Sequence, residues 1–127
     1  YLLQGELGSG KTTLVQGVLW GMGADEYARS PTFVLINEYA ARLPVYHIDL
    51  YRIGSSQEVG ELGLDEYLFG YGVCLVEWPQ RAPTYFPQGH VLIEIDVQGP
   101  DTRRISISSA SGRYSSTIDS LNAFDKQ

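Results

Sequence analysis

The sequence predicts a three-layer α/β domain with a mixed, partly antiparallel sheet, on three observations. A short apolar run, Tyr1-Leu2-Leu3, leads through a glycine-rich loop into an amphipathic helical pattern. Runs rich in β-branched and aromatic residues recur after that helix, separated by proline and glycine. Two of those runs end in a carboxylate. Strands separated by helices pair in parallel, and strands separated by a tight turn form hairpins, so both kinds of pairing are expected.

The loop is the first element to justify. Gly5-Glu6-Leu7-Gly8-Ser9-Gly10-Lys11-Thr12 fits the phosphate-binding pattern G-x-x-x-x-G-K-[ST] at every fixed position. Glycines let the backbone curl so that successive N–H groups point at one anion. Lys11 brings a positive charge to the β- and γ-phosphates, and the Thr12 hydroxyl suits Mg²⁺. The helix that follows adds the partial positive charge of its N-terminus. With a strand before the loop and a helix after it, the fold class is P-loop NTPase-like.

The remaining elements follow in order. Residues 12–22 place Leu14, Val15, Val18, Leu19 and Met22 on one helical face, and Gly23 suits the position just past the helix end. Residues 24–31 are a loop ending in Ser30-Pro31. Thr32 to Tyr39 and Val45 to Leu50 read as strands joined by a turn at Arg42-Leu43-Pro44, hence a hairpin. Ser55 and Glu58 resemble a capping box opening a short helix to about Leu62, and Asp65 to Leu68 suits another helical turn. Gly72 to Glu77 is apolar enough for a central strand. Pro79, Pro83 and Pro87 make residues 78–89 a loop. His90 to Val97 and Arg103 to Ser108 flank Gly99-Pro100-Asp101 as a second hairpin near the sheet edge. Residues 110–127 are serine-rich and weakly patterned, either a loose tail or a last helix.

Composition narrows the function. The chain has 127 residues, enough for one domain. A formal net charge of −6 opposes nonspecific nucleic-acid binding by the average surface. The single cysteine, Cys74, lies in an apolar run and reads as a small buried thiol. No apolar stretch approaches the ~18 residues of a membrane span, so no membrane role and a cytoplasmic location are expected. A strand as short as the one before the loop anchors a sheet poorly, which predicts a further strand and helix upstream.

A phosphate loop by itself implies nucleotide binding. Hydrolysis also needs an acidic group to hold Mg²⁺ or position water. Ligands collect at the carboxyl ends of parallel strands. The strand ending at Glu77 should run parallel to the strand entering the loop, which makes Glu77, with Thr12, the metal-side group. Asp49 ends a hairpin strand whose direction is open; its roles would be to orient the attacking water or to support the metal through that water. Thr32, after the first helix, sits where a switch segment senses the γ-phosphate, although a plain proline loop explains Ser30-Pro31-Thr32 equally well. Trp78 could stack on a base or a partner, or cap the core. His47 reads as structural. Arg52, Arg81, Arg103 and Arg104 are candidates for phosphate or base contacts, each more commonly a solvated surface charge.

Gly5 to Thr13, Ser30-Pro31-Thr32-Phe33, Tyr46-His47-Ile48-Asp49-Leu50-Tyr51-Arg52 and Leu75-Val76-Glu77-Trp78-Pro79, in this order and spacing, resemble the bacterial TsaE (YjeE) family across roughly residues 1–108. The resemblance implies a P-loop α/β fold and an ATPase that uses ATP and Mg²⁺. It implies TsaD and TsaB as partners, which transfer a threonylcarbamoyl group to adenosine 37 of tRNA. This protein would be their helper ATPase, weak alone, meeting tRNA only through the complex. Carried over residue by residue, Gly8, Ser9, Gly10, Lys11, Thr12, Thr13, Thr32 and Trp78 would bind the nucleotide. Thr12 and Glu77 would hold Mg²⁺, and Lys11, Asp49 and Glu77 would serve hydrolysis. Residues 1–109 form the ATPase domain on this reading and 110–127 its tail. Family members carry a further strand before the loop, and with it part of the base site. The alternatives are a small-molecule kinase, a GTPase and a nucleotide-sensing module without turnover. A kinase needs an arginine-bearing lid, and Ser55 to Phe69 has no arginine; a GTPase usually shows an Asn/Thr-Lys-x-Asp segment, absent here.

Overall fold

The computed structural model describes residues 1–29 and 35–125. Their chain order is β1 (Leu2–Gln4), α1 (Lys11–Gly21), β2 (Ile36–Tyr39), β3 (Val45–Asp49), α2 (Ser56–Glu61), α3 (Asp65–Leu68), β4 (Val73–Glu77), β5 (Val91–Val97), β6 (Arg103–Ser109) and α4 (Ser115–Asp125). The strands form one sheet in the order β2-β3-β4-β1-β5-β6. Its centre, β3-β4-β1-β5, is parallel, and the two hairpins β2/β3 and β5/β6 supply the antiparallel margins. The mixed sheet expected from the sequence is the one that forms.

Residues on either face of the sheet build separate cores. Leu3, Val45 and Leu75 pack with Val15 and Leu19 of α1 on one side. Leu2, Ile48 and Val76 pack with Val59 and Leu64, from the α2–α3 region, on the other. Side chains alternate along a strand, so Leu2 and Leu3 serve opposite cores and a three-residue β1 is buried on both faces.

Local chemistry sets the helix ends. At the end of α1, Gly23 adopts φ 84° and donates its N–H to the Trp20 carbonyl at 3.1 Å, while Ala24 N–H reaches Leu19 O at 2.9 Å. This is the paired closure that a glycine just past a helix permits. At α2 the Ser55 hydroxyl accepts the Glu58 N–H at 3.3 Å. The Glu58 carboxylate reaches one residue further back than a capping box requires, accepting the Gly54 N–H at 3.3 Å.

Three expectations change in detail. Residues 78–89 are a loop, but Pro79–Arg81 within it forms a 3-10 turn. Cys74 is half-buried, and its thiol donates to the Tyr67 carbonyl at 3.2 Å. Between the two readings of residues 110–127, the helix is the one that forms, as α4. Its described side chains are exposed except Ile118, which is half-buried, so the segment carried no clear apolar stripe. Among the described residues, no helix is long and apolar enough to cross a membrane.

Candidate functional site

The loop from β1 to α1 takes its shape from three glycines. Gly8 and Gly10 have φ 77° and 110°, in the region that favours glycine. Gly5 is needed for space: a Cβ there would lie 2.8 Å from the Ile95 carbonyl oxygen and 2.6 Å from Ser9 Oγ. No side chain caps the N-terminus of α1, because Gly10 occupies that position. First-turn N–H groups are thus left for an anion rather than for the protein. Arg103 braces the loop from β6, donating Nε–H to the Ser9 carbonyl at 3.0 Å. The Ser9 hydroxyl is buried without a partner among the described residues.

Lys11 is 6% exposed. Its ammonium donates to the Gly5 carbonyl and lies 4.1 Å from the centroid of the Trp78 ring. Burial pushes the amine below its ordinary value; Glu77 and then Asp49 push it back up. A carbonyl and an aromatic face are weak partners for a buried cation, so Lys11 is poised for a stronger anion.

The two carboxylates meet through register. β3 runs parallel to β4 with Asp49 opposite Glu77, and β4 runs parallel to β1 with Glu77 opposite Leu3. This settles the direction that a hairpin alone left open. Asp49 accepts the Tyr51 N–H at 2.9 Å. Burial raises the Asp49 carboxyl above its ordinary value; the Tyr51 N–H opposes that rise, Glu77 adds to it, and His47 and Lys11 oppose it. Glu77 is 5% exposed, and its Oε2 is hydrogen-bonded to Nε2 of the fully buried His47.

Trp78 directly follows β4 with φ 59° and ψ 48°, a left-handed conformation rare for a bulky residue. Its ring lies 5.0 Å from that of Tyr51, centroid to centroid, and the Arg81 guanidinium lies 5.8 Å from the Trp78 ring. Gly8, Gly10, Lys11, Thr12 and Thr13 of the loop side face Asp49, Tyr51, Glu77 and Trp78 across a cavity of about 430 Å³. Of the residues singled out in the sequence, Thr32 lies outside the described residues. Arg81 lies beside the Trp78 ring, and of the two arginines on edge strand β6 Arg103 reaches the loop through Ser9. His47, read from the sequence as structural, is hydrogen-bonded to Glu77, and Tyr51, not singled out there, lines the cavity. The available signal was period-two alternation, which puts residues 47 and 49 on one face.

The residues present fit a nucleotide phosphate and a divalent cation. Among the described residues, no group of three or more His, Cys, Asp or Glu side chains could form an all-protein metal cage. Mg²⁺ rarely uses one; it takes one or two carboxylates or hydroxyls together with substrate phosphates. Here Thr12 and Glu77 line the same cavity as the loop.

A strand–glycine loop–helix unit at the carboxyl edge of a parallel sheet, facing two strand-end carboxylates, defines a P-loop nucleotide-binding domain of the α/β class. The family model described as threonylcarbamoyl adenosine biosynthesis protein TsaE matches residues 1–105. The chain belongs to the TsaE family. A Bacillus subtilis protein named tRNA threonylcarbamoyladenosine biosynthesis protein TsaE is 42% identical over 124 residues, covering 97% of this chain and 77% of that one. A Nostoc protein of the same name is 41% identical over 127 residues, covering 96% and 75%. The crystal structure of Bacillus subtilis YdiB superposes with a TM-score of 0.80 at 38% identity, covering 98% of this chain and 76% of that one.

Proposed function

We propose that this protein is a Mg²⁺-dependent ATP-binding and ATP-hydrolysing helper in threonylcarbamoylation of adenosine 37 of tRNA, working in the cytoplasm with TsaD and TsaB. The observation that carries the ATPase reading is the placement of Asp49 and Glu77 in register across one cavity from Lys11. The names of the relatives support the pathway. The net charge of −6 favours contact with tRNA through partners.

Each side chain has a part. The loop N–H groups of Gly8 to Thr13 cradle the phosphates, and Lys11 exchanges the Gly5 carbonyl for phosphate oxygens. Thr12 and Glu77 hold Mg²⁺, which when bound neutralises phosphate charge and fixes its orientation. Asp49, held by its own turn, orients the attacking water. Trp78 covers Lys11 and forms part of the cavity wall. A neighbouring cavity of about 690 Å³ adjoins the loop at Ser9, Gly10 and Thr13, with Leu14, Val18 and Ile105 among its walls. It offers an apolar seat for the base. A kinase reading is weaker because Ser55 to Phe69 is not a lid: Val59 and Leu64 within it are fully buried.

The test is multiple-turnover tRNA modification by TsaD and TsaB with and without this protein. The protein should sustain turnover beyond the first cycle, and Lys11→Ala and Glu77→Ala should not. Equal product without the protein would overturn the pathway. Normal ATP hydrolysis by Lys11→Ala would overturn the site.

A further inference from the structure

We infer that His47 is a positioning residue that holds Glu77 to one-oxygen contact with the cavity, and so makes the site select Mg²⁺ over Ca²⁺. The inference rests on the reading of Glu77 as a metal-side group. In the β3/β4 register His47 pairs with Leu75, so Glu77 lies two residues further along the neighbouring strand and on the same face. That diagonal brings His47 Nε2 onto Glu77 Oε2. An ionised carboxylate only accepts hydrogen bonds, so Nε2 carries the hydrogen. The bond takes one lone pair of Oε2 and fixes the carboxylate plane. Among the described residues Oε1 has no hydrogen-bond partner, while Glu77 forms part of the cavity wall.

The histidine is not there for packing or stability alone. It is 0% exposed, and its Nδ1 is buried with no hydrogen-bond partner among the described residues. Leaving such an atom unpaired is costly, and an apolar residue of similar size would avoid it. The ring also differs from the device that orients Asp49. Asp49 is held by the backbone N–H two residues ahead of it, whereas among the described residues the hydrogen bond to the Glu77 carboxylate comes from a side chain on another strand.

Selectivity follows from coordination chemistry. Ca²⁺ takes six to eight oxygens and readily accepts both oxygens of one carboxylate. Mg²⁺ demands six near-octahedral positions and takes one oxygen per carboxylate. With one Oε2 lone pair engaged by His47 and the carboxylate plane fixed by that bond, Oε2 is a weakened ligand and symmetric bidentate contact is disfavoured, which costs Ca²⁺ more than Mg²⁺. Without His47 the carboxylate can rotate and offer both oxygens.

The experiment measures equilibrium binding of a fluorescent ADP analogue against Mg²⁺ and against Ca²⁺, reporting the ratio of the two half-saturating concentrations. Wild type should favour Mg²⁺. His47→Leu should reduce that preference by roughly tenfold, the lower end of what groups hydrogen-bonded to metal ligands are worth. His47→Gln, whose amide reaches as far as Nε2, should restore most of it; His47→Asn, too short to reach, should not. If His47→Leu does not fold, the Gln and Asn variants decide, since they share chemistry and differ in reach. An equal ratio in those two, or an unchanged ratio in folded His47→Leu, overturns the inference. Glu77→Gln separates the two readings. If it leaves the divalent dependence unchanged, the assignment of Glu77 to the metal fails; if it abolishes that dependence while the His47 variants match wild type, only the positioning role fails.

Discussion

Trp78 presents a backbone strain that can be weighed. Its φ of 59° and ψ of 48° cost a residue with a Cβ about 1–2 kcal/mol, and cost glycine essentially nothing. Trp78→Ala and Trp78→Gly both remove the ring that covers Lys11 and packs on Tyr51. The difference between the two variants therefore isolates the backbone. Glycine gains the relieved strain and loses about 0.4–1 kcal/mol through its freer unfolded chain. The balance favours glycine by about 0.5–1 kcal/mol. In urea unfolding, with a slope of about 1.5 kcal/mol per molar, the midpoint of Trp78→Gly should lie about 0.3–0.7 M above that of Trp78→Ala. At an ordinary position the order is reversed, because alanine is normally the more stable residue. An alanine variant as stable as the glycine variant, at equal slopes, would refute the claim that Trp78 is held under strain.

Three further outcomes are expected. Gly5→Ala forces the new methyl against the Ile95 carbonyl and should cost about 1–3 kcal/mol and weaken nucleotide binding, whereas Gly17→Ala, in open space on α1, should stabilise by about 0.5–1 kcal/mol; urea unfolding and ADP titration check both. Leu19→Ala, at a fully buried position between α1 and the sheet, should cost about 2–5 kcal/mol by the same unfolding assay. Tyr85 donates its hydroxyl to Asp65 Oδ1 at 2.7 Å, and that bond, aided by desolvation, pushes the phenol up to about 12. A raised phenol stabilises the fold below the unfolded value near 10 and loses that contribution as pH rises through about 12. Tyr85→Phe should therefore cost about 0.5 kcal/mol at neutral pH, discounted for exposure, and the gap should close at high pH, as followed by unfolding and phenol absorbance.

The elements were legible where a local rule governs them. The spacing from Gly5 to Thr12 encodes a loop whose glycines and lysine are sufficient to shape an anion site. Gly23 after the α1 pattern, and Ser55 before α2 with Glu58 in its first turn, mark helix ends through contacts within a few residues. Asp49 and Glu77 were visible because each ends an apolar run. α4 was poorly legible because almost none of its described surface is buried, so no periodic pattern had to exist.

By itself the sequence determined the loop, the hairpins, the helix caps and the chemistry available at two strand ends, because these depend on dihedral preference and spacing along the chain. Only the tertiary structure decided what those ends face. The parallel register of β3 with β4 set Asp49 beside Glu77, the diagonal across it brought His47 onto Glu77, and the turn after β4 laid Trp78 over Lys11. These are contacts between residues 28, 30 and 67 positions apart, as the residue numbers themselves show. No local rule carries that information; it comes from strands choosing the alignment that buries both faces of one sheet.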